Sequence, residues 1–301
     1  MEAAAYKRLY PHEYYRKFLA EETRPDGRPL ARARDVSVAN GVVTSADGSA
    51  LVKIGRTTAL AAAKLEPAPP EPTAPDVGVV EVTVELPPMC AASARPGRPT
   101  EESQRCARRI EDVLRDANVV DLRKLCIKRG VYAWRVCVDV YVLDHDGGIL
   151  DAALCAVVGA LKDAKVPRVD VDDRGKLVWG GGERERRPGD ADADADANGD
   201  GDASTSAAAC VVDVASHPLS LTIGQYDGKL VVDPNFEEEA LMESVVSVVM
   251  REDGDLVCVS KPGGTREASE STLIKCIAAA RLRYPGCKKA FDDAFDAVEV
   301  S

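Results

Sequence analysis

With 301 residues, 45% hydrophobic and 30% charged, the chain is long enough to bury one large core or two modest ones without staples. A net charge of −11 argues against a dedicated nucleic-acid binder. It contains no membrane-length apolar run and no apolar stretch behind a basic start, so a soluble, non-secreted protein is expected. Nine scattered cysteines without C-x-x-C spacing or nearby His indicate neither a zinc site nor a disulfide framework, and fit a reducing cytosol or nucleus.

Tyr6, Tyr10, Tyr14, Tyr15, Phe18 and Leu19 recur at roughly helical spacing over 5–22. This predicts a helix, broken or begun at Pro11, before the turn-rich RPDGRPL. VSVANGVV reads as a strand, and SALVKIGRTTALAAAKLE as two strands closed at Gly55-Arg56. EPAPPEPTAP is too rich in Pro for a sheet interior and reads as a loop, after which VGVVEVTVELPP returns to strand. Thr100 opens a helix: Glu101 and Glu102 suit its positive end, and Cys106, Ile110, Val113 and Leu114 form its apolar stripe.

LCIKRGVYAWRVCVDVYVLD predicts a strand pair that runs into Gly147-Gly148 and a helix over 151–163. A strand delivering glycines to a helix N-terminus is a common phosphate cradle, yet Ile149, Leu150 and Asp151 follow here, two apolar side chains and a carboxylate. Residues 181–209 are low-complexity and expected to be disordered, with Asp190, Asp192, Asp194, Asp196, Asp200 and Asp202 supplying over half the net charge. A strand meander over 209–234, a hairpin turning at Asp253-Gly254 and two helices separated at Pro285-Gly286 complete the reading. The pattern predicts a mixed α/β (α+β) layer arrangement.

Few residue patterns point to chemistry by themselves. DADANG at 194–199 begins like a calcium loop, but the twelfth position is Thr205 instead of a bidentate Glu, which favours a solvated linker. His12, His145 and His217 have no metal or Cys-His spacing. Glu237, Glu238 and Glu239 are candidate acid–base or metal carboxylates, although three in a row on a polar turn are more often solvated. Between residues 95 and 135, eleven Arg or Lys stand against six Asp or Glu, and Arg95 and Arg98 sit on a loop directly before an Arg-rich helix. Arginine there suits contacts to a phosphate backbone.

Five segments in order carry a resemblance: RPDGRPLARARDVSV, DGSALVKIGRTTALAAAKLE, VELPP with RPGRPTEESQ, DVYVLDHDGGILDAALCAVVGALKDAKVP and LVVDPNFEEEALMESVVSVVM. Together they resemble RNase PH-like proteins over nearly the whole chain outside 181–209, in particular a non-catalytic ring subunit of the eukaryotic RNA exosome. The resemblance implies an RNase PH-like fold of mixed sheets packed with helices in two pseudo-related halves. On this basis 1–30 is an N-terminal helix and arm, 31–168 the N-terminal half, 181–209 an acidic insert, and 210–301 the C-terminal half with closing helices.

Active relatives are phosphorolytic 3′-to-5′ exoribonucleases with Gly-Gly-Thr-Arg-Thr-Ala at the cradle. This chain has Gly147-Gly148-Ile149-Leu150-Asp151-Ala152, without either phosphate ligand. The family's two acids, six residues apart, fall on Glu239 and Val245. The resemblance therefore implies a chain that is not an enzyme, with no catalytic residue, metal or cofactor. It would build one wall of a hexameric ring that threads single-stranded RNA toward a recruited exoribonuclease, beside related ring subunits and cap proteins. Arg95, Arg98 and Arg105 would lie near the channel and contact RNA, and the location would be nucleus, including nucleolus, and cytoplasm. Two alternatives stay open: an active phosphate-dependent exoribonuclease, and a free-standing RNA-binding scaffold.

Overall fold

The computed structural model describes residues 2–90, 99–172, 174–179 and 210–299. The insert, and with it Arg95 and Arg98, lies outside the described residues. Helices α1 (Glu2–Leu9) and α2 (Pro11–Ala20) are separated at Tyr10, with Pro11 in the first turn of α2, where its missing N–H costs nothing.

The first sheet comprises β1 (Val36–Asn40), β2 (Gly48–Ile54), β3 (Thr57–Ala68), β4 (Val79–Glu85), β5 (Cys126–Lys128) and β6 (Tyr132–Asp144), in the order β1-β2-β3-β6-β4 with β5 on β6. All pairs are antiparallel except β4 and β6, whose parallel alignment requires the crossover that α3 (Glu101–Asp116) supplies. Thr100 caps α3 by accepting the Ser103 N–H, and Cys106, Ile110, Val113 and Leu114 are buried, as their spacing predicts. Strand β3 runs further than expected, to Pro67 and Ala68 opposite Trp134 and Ala133. Its pairing with β2 ends at Ala63, so Pro67 lies where β3 has a neighbour on one side only and no ladder donor is lost.

Helix α4 (Ile149–Asp163) begins two residues before the predicted start and is buried from Ala152 through Leu161. An amphipathic helix covers one layer, whereas this one is apolar all round because it has a layer on each side. On one side lie β2 and β3, whose alanines allow close approach: a Cβ on Gly48 would stand 2.5 Å from Ala160 O, and one on Gly159 2.7 Å from the Ala50 methyl. On the other lies β11 (Leu219–Tyr226) of the second sheet.

Two short pairings go unread in the sequence: β7 (Lys165–Val166) with β10 (Cys210–Val211), which joins the halves, and β8 (Val169–Val171) with β9 (Leu177–Trp179), a local hairpin of the connection. The second sheet has the order β12-β11-β13-β14, from β11 (Leu219–Tyr226), β12 (Lys229–Val232), β13 (Ser244–Met250) and β14 (Leu256–Ser260). Asp227 and Gly228, both at positive φ, close the β11–β12 hairpin as its right-handed twist demands.

Residues 236–239 form the short helix α5 (Phe236–Glu239), capped reciprocally by Asn235 and Glu238. The chain closes with one helix, α6 (Glu270–Glu299), and not the two expected. Pro285 removes one hydrogen bond, but packing on both sides of it holds the helix together. Leu273, Cys276, Ile277 and Ala280 pack in the second core, and Phe291 and Phe295 in the first. No described helix is long and apolar enough to cross a membrane.

Candidate functional site

The site forms where β6 meets α4. Gly147 and Gly148 both take the left-handed conformation, at φ 79° and 64°. A Cβ on Gly147 would lie 2.6 Å from Pro234 O, so the turn also needs glycine to pass under the backbone that leads into α5.

The carbonyls of this turn face a cation. Arg34 donates from Nη2 to Gly147 O at 3.2 Å and from Nη1 to Asp146 O, while its Nε and Nη2 reach Asp233 Oδ2 and Oδ1 at 2.9 and 2.6 Å. Thr57 Oγ1 adds a bond to Gly147 O at 2.7 Å. Asp233 takes φ 52°, which a short polar side chain tolerates, and also accepts the Arg34 N–H at 2.7 Å. Arg34 and Asp233 are both buried and compensate each other, and Arg28 Nη1, 3.6 Å from Asp233 Oδ2, is a second and more distant cation for the carboxylate.

The N–H groups of the turn also have partners. Gly147 donates to His145 Nδ1 at 3.3 Å, and Gly148 donates to Glu239 Oε1 at 2.9 Å. A carboxylate from α5 therefore occupies the position that a helix N-terminus offers an anion. Burial pushes the Glu239 carboxyl up to about 7, against the Gly148 bond that lowers it.

Asp151 does something different from the expectation that it lines the cradle. It is buried and turned toward β11, where Oδ1 accepts the Ser220 and Thr222 hydroxyls at 2.6 and 3.1 Å and Oδ2 accepts the Thr222 N–H at 2.8 Å. Burial pushes it up to about 6, opposed by these bonds. Its role is to fasten α4 to the second sheet, and the charge in the cradle is that of Glu239. Ile149 is buried in the main core, and Leu150 packs against it.

The three glutamates are not the solvated run that their sequence suggested. Glu237 accepts the Tyr15 hydroxyl at 2.9 Å and pairs with Lys7. Glu238, 2% exposed, lies 3.5 Å from the buried Arg24 and accepts the Asn235 N–H at 3.0 Å. The N-terminal helices are thus anchored on α5, directly beside the cradle.

Across from the cradle stands α3. A groove of about 400 Å³ has Arg105, Arg108 and Arg109 on one wall and Gly148, Ile149, Leu150, Glu239 and Val245 on the other. Arg105, predicted to contact RNA, is exposed there, and its Nε donates to Glu101 O at 3.3 Å. Arg108 and Arg109 join it, although the sequence had singled out neither. Their signal was the i+3 and i+4 spacing from Arg105 on a helix whose stripe was already known. Arg109 Nη1 also donates to Cys258 Sγ at 3.4 Å, tying α3 to β14. No cluster of three or more metal-ligating side chains exists among the described residues.

The raised Glu239 value has a testable sign. Because the folded value, about 7, exceeds the ordinary 4.5, protonation favours the fold; that stability is complete below about 4.5 and lost as pH rises to 7. Glu239→Gln keeps an acceptor for Gly148 and removes the charge. It is expected to stabilise the chain by about 1–2 kcal/mol at pH 8 and hardly at all at pH 5, read by urea melts. Equal effects at both pH values would contradict the shift.

Fold and groove define a two-sheet α/β protein with a glycine turn at a helix N-terminus, facing an arginine-bearing helix. Residues 32–167 match domain 1 of the 3′ exoribonuclease (RNase PH) family and residues 217–282 match its domain 2, and the chain belongs to that family. Exosome complex component Rrp42 of Methanothermobacter thermautotrophicus is 30% identical over 262 residues, 87% of each chain. Its counterpart in Thermococcus onnurineus is 34% identical over 246 residues, 82% of this chain and 81% of that one. Among solved structures, an Archaeoglobus fulgidus exosome with RNA bound to the active site superposes with a TM-score of 0.72 at 30% identity, covering 91% of this chain and 96% of that one. An archaeal exosome core gives 0.70 at 29% identity, covering 91% and 95%.

Proposed function

We propose that this chain is a catalytically inactive subunit of an RNA exosome ring, one that forms a wall of the channel and guides single-stranded RNA to a separate exoribonuclease. The observation that carries this reading is that Ile149 and Leu150, which open α4 at the Gly147-Gly148 turn, pack on the main core and offer an anion neither a cation nor a hydroxyl. Phosphorolysis needs an inorganic phosphate held at such a turn, and two apolar side chains supply neither the charge nor the donors that would hold it. Ile149 and Leu150 stand where active relatives carry the Thr-Arg pair, and Val245 where they carry a second acid. The arginines of α3 remain across the groove and suit sequence-independent phosphate contacts. Its partners are then related ring subunits, cap proteins and a recruited nuclease, in the nucleus, nucleolus and cytoplasm.

The test is the native mass of a tagged copy purified gently from its own cells, with its companions identified. One large particle containing five other RNase PH-like chains and cap proteins is expected. A small homo-oligomer would refute ring membership and favour a free-standing scaffold. Purified chain given RNA and inorganic phosphate is expected to release no nucleoside diphosphate; release would refute inactivity.

A further inference from the structure

Strand β4 ends the first sheet, with β6 on one side and, among the described residues, no strand on the other. Backbone groups along a strand point alternately to its two edges. Gly78 donates its N–H to Leu122 O at 2.9 Å and Val82 donates to Glu111 Oε1 at 3.1 Å, so these even-numbered residues face the open edge. Val80 lies between them, roughly 7 Å from each at about 3.3 Å per residue. Its outward N–H and C=O have no partner among the described residues.

This open pair borders a cavity of about 640 Å³ between β4, the last turns of α3 and residues 118–123, a size typical of small-molecule sites. Val77, Leu114, Val120 and Leu122 supply apolar walls. A peptide strand needs several open rungs, and the bonds at Gly78 and Val82 leave one. A planar ligand needs only one. From Val80 to Val82 the edge presents a donor, the Val80 N–H; an acceptor, the Val80 C=O; and a second acceptor, the Glu111 carboxylate that holds Val82. The Watson–Crick edge of guanine is the complement, with O6 accepting and N1–H and N2–H donating. Adenine turned to satisfy Val80 would set N7, an acceptor, against the carboxylate.

We propose that this cavity binds a guanine nucleotide, with the base on Val80 and Glu111 between the apolar walls and the phosphate met by Arg115 and Arg123. Both arginines line the cavity and are exposed. Arg123 forms no ion pair among the described residues, and Arg115 lies 3.8 Å from Asp112. The other acids of the lining are held by their own loops: Glu71 Oε2 accepts the Thr73 hydroxyl at 3.2 Å, and Asp121 Oδ1 accepts the Arg123 N–H at 3.1 Å. The cavity shares no lining residue with the arginine groove, so the site stands independently of the ring reading.

Calorimetric titration of 5′-GMP into the full-length chain is expected to saturate, with binding at least about 10-fold tighter than that of AMP. IMP lacks the N2 amino group and should bind about 10-fold more weakly than GMP, as for one lost hydrogen bond to a charged acceptor. Glu111→Gln keeps an acceptor for the Val82 N–H and should erase the difference between GMP and IMP. Arg123→Ala, an exposed change, should weaken GMP and leave guanosine unaffected. Absent saturation with GMP, equal binding of AMP, or a GMP-to-IMP ratio unmoved by Glu111→Gln would each overturn the proposal. So would loss of binding in the assembled particle, because a neighbouring chain would then fill the cavity. The base has two sources, separated by a short single-stranded RNA with one guanine and the same strand with adenine in its place. Preference for the guanine strand assigns the site to RNA, and GMP binding without that preference assigns it to a free nucleotide; either result upholds the site.

Discussion

Arg34→Ala is expected to destabilise the chain by about 3–5 kcal/mol, the cost typical of removing one partner of a buried ion pair. The reason is what remains behind. Asp233, 2% exposed, would keep its charge with only the more distant Arg28, 3.6 Å from Oδ2, in place of the guanidinium that meets both of its oxygens. The carbonyls of Asp146 and Gly147 would lose donors in the same step, and Gly147 O would keep only Thr57. Urea denaturation of the purified chain measures the loss, and Asp233→Asn in the same background tests its origin. If the cost is the orphaned carboxylate, the double variant recovers part of the stability. A loss below about 1 kcal/mol for Arg34→Ala would show that Asp233 finds another partner.

The other large effect concerns RNA. Reversing Arg105 and Arg108 to Glu is expected to weaken binding of single-stranded RNA at least 10-fold at physiological salt and to flatten the salt dependence by about 1.4, as for two lost phosphate contacts. Arg109 is left in place because it also holds Cys258, so that folding is not tested at the same time. Arg105 and Arg108 are exposed, and their replacement should leave the urea midpoint within the range of ordinary surface changes. An unchanged salt slope would show that RNA does not run along α3.

The structure makes clear which features a sequence can announce. The α3 cap and stripe, the hairpin at Gly55-Arg56 and the Gly147-Gly148 turn carry local signatures of period or backbone freedom, and all three are as read. The continuity of α6 was not legible, since Pro285-Gly286 is a strong local stop and only the two cores packed along the helix overrule it. The site was legible in part. Glycines and missing ligands can be seen in the chain, but the direction of a carboxylate cannot. Asp151 turns toward Thr222, and Glu239 fills a turn 91 positions earlier. The Arg34–Asp233 pair spans 199 positions, and no periodicity records a contact of that range.

The position of α4 between two sheets also bears on how the protein is made. Residues 149–163 leave the ribosome with β2 and β3 already available to cover one side, whereas β11 begins at Leu219 and Phe291 comes much later. At about 5–20 residues per second, the opposite side of the helix stays bare for roughly 3–12 s. During that interval the nascent chain presents a long aliphatic surface, which is the kind that chaperones hold and that aggregates when they do not. The second half, on arrival, completes the folding of the first.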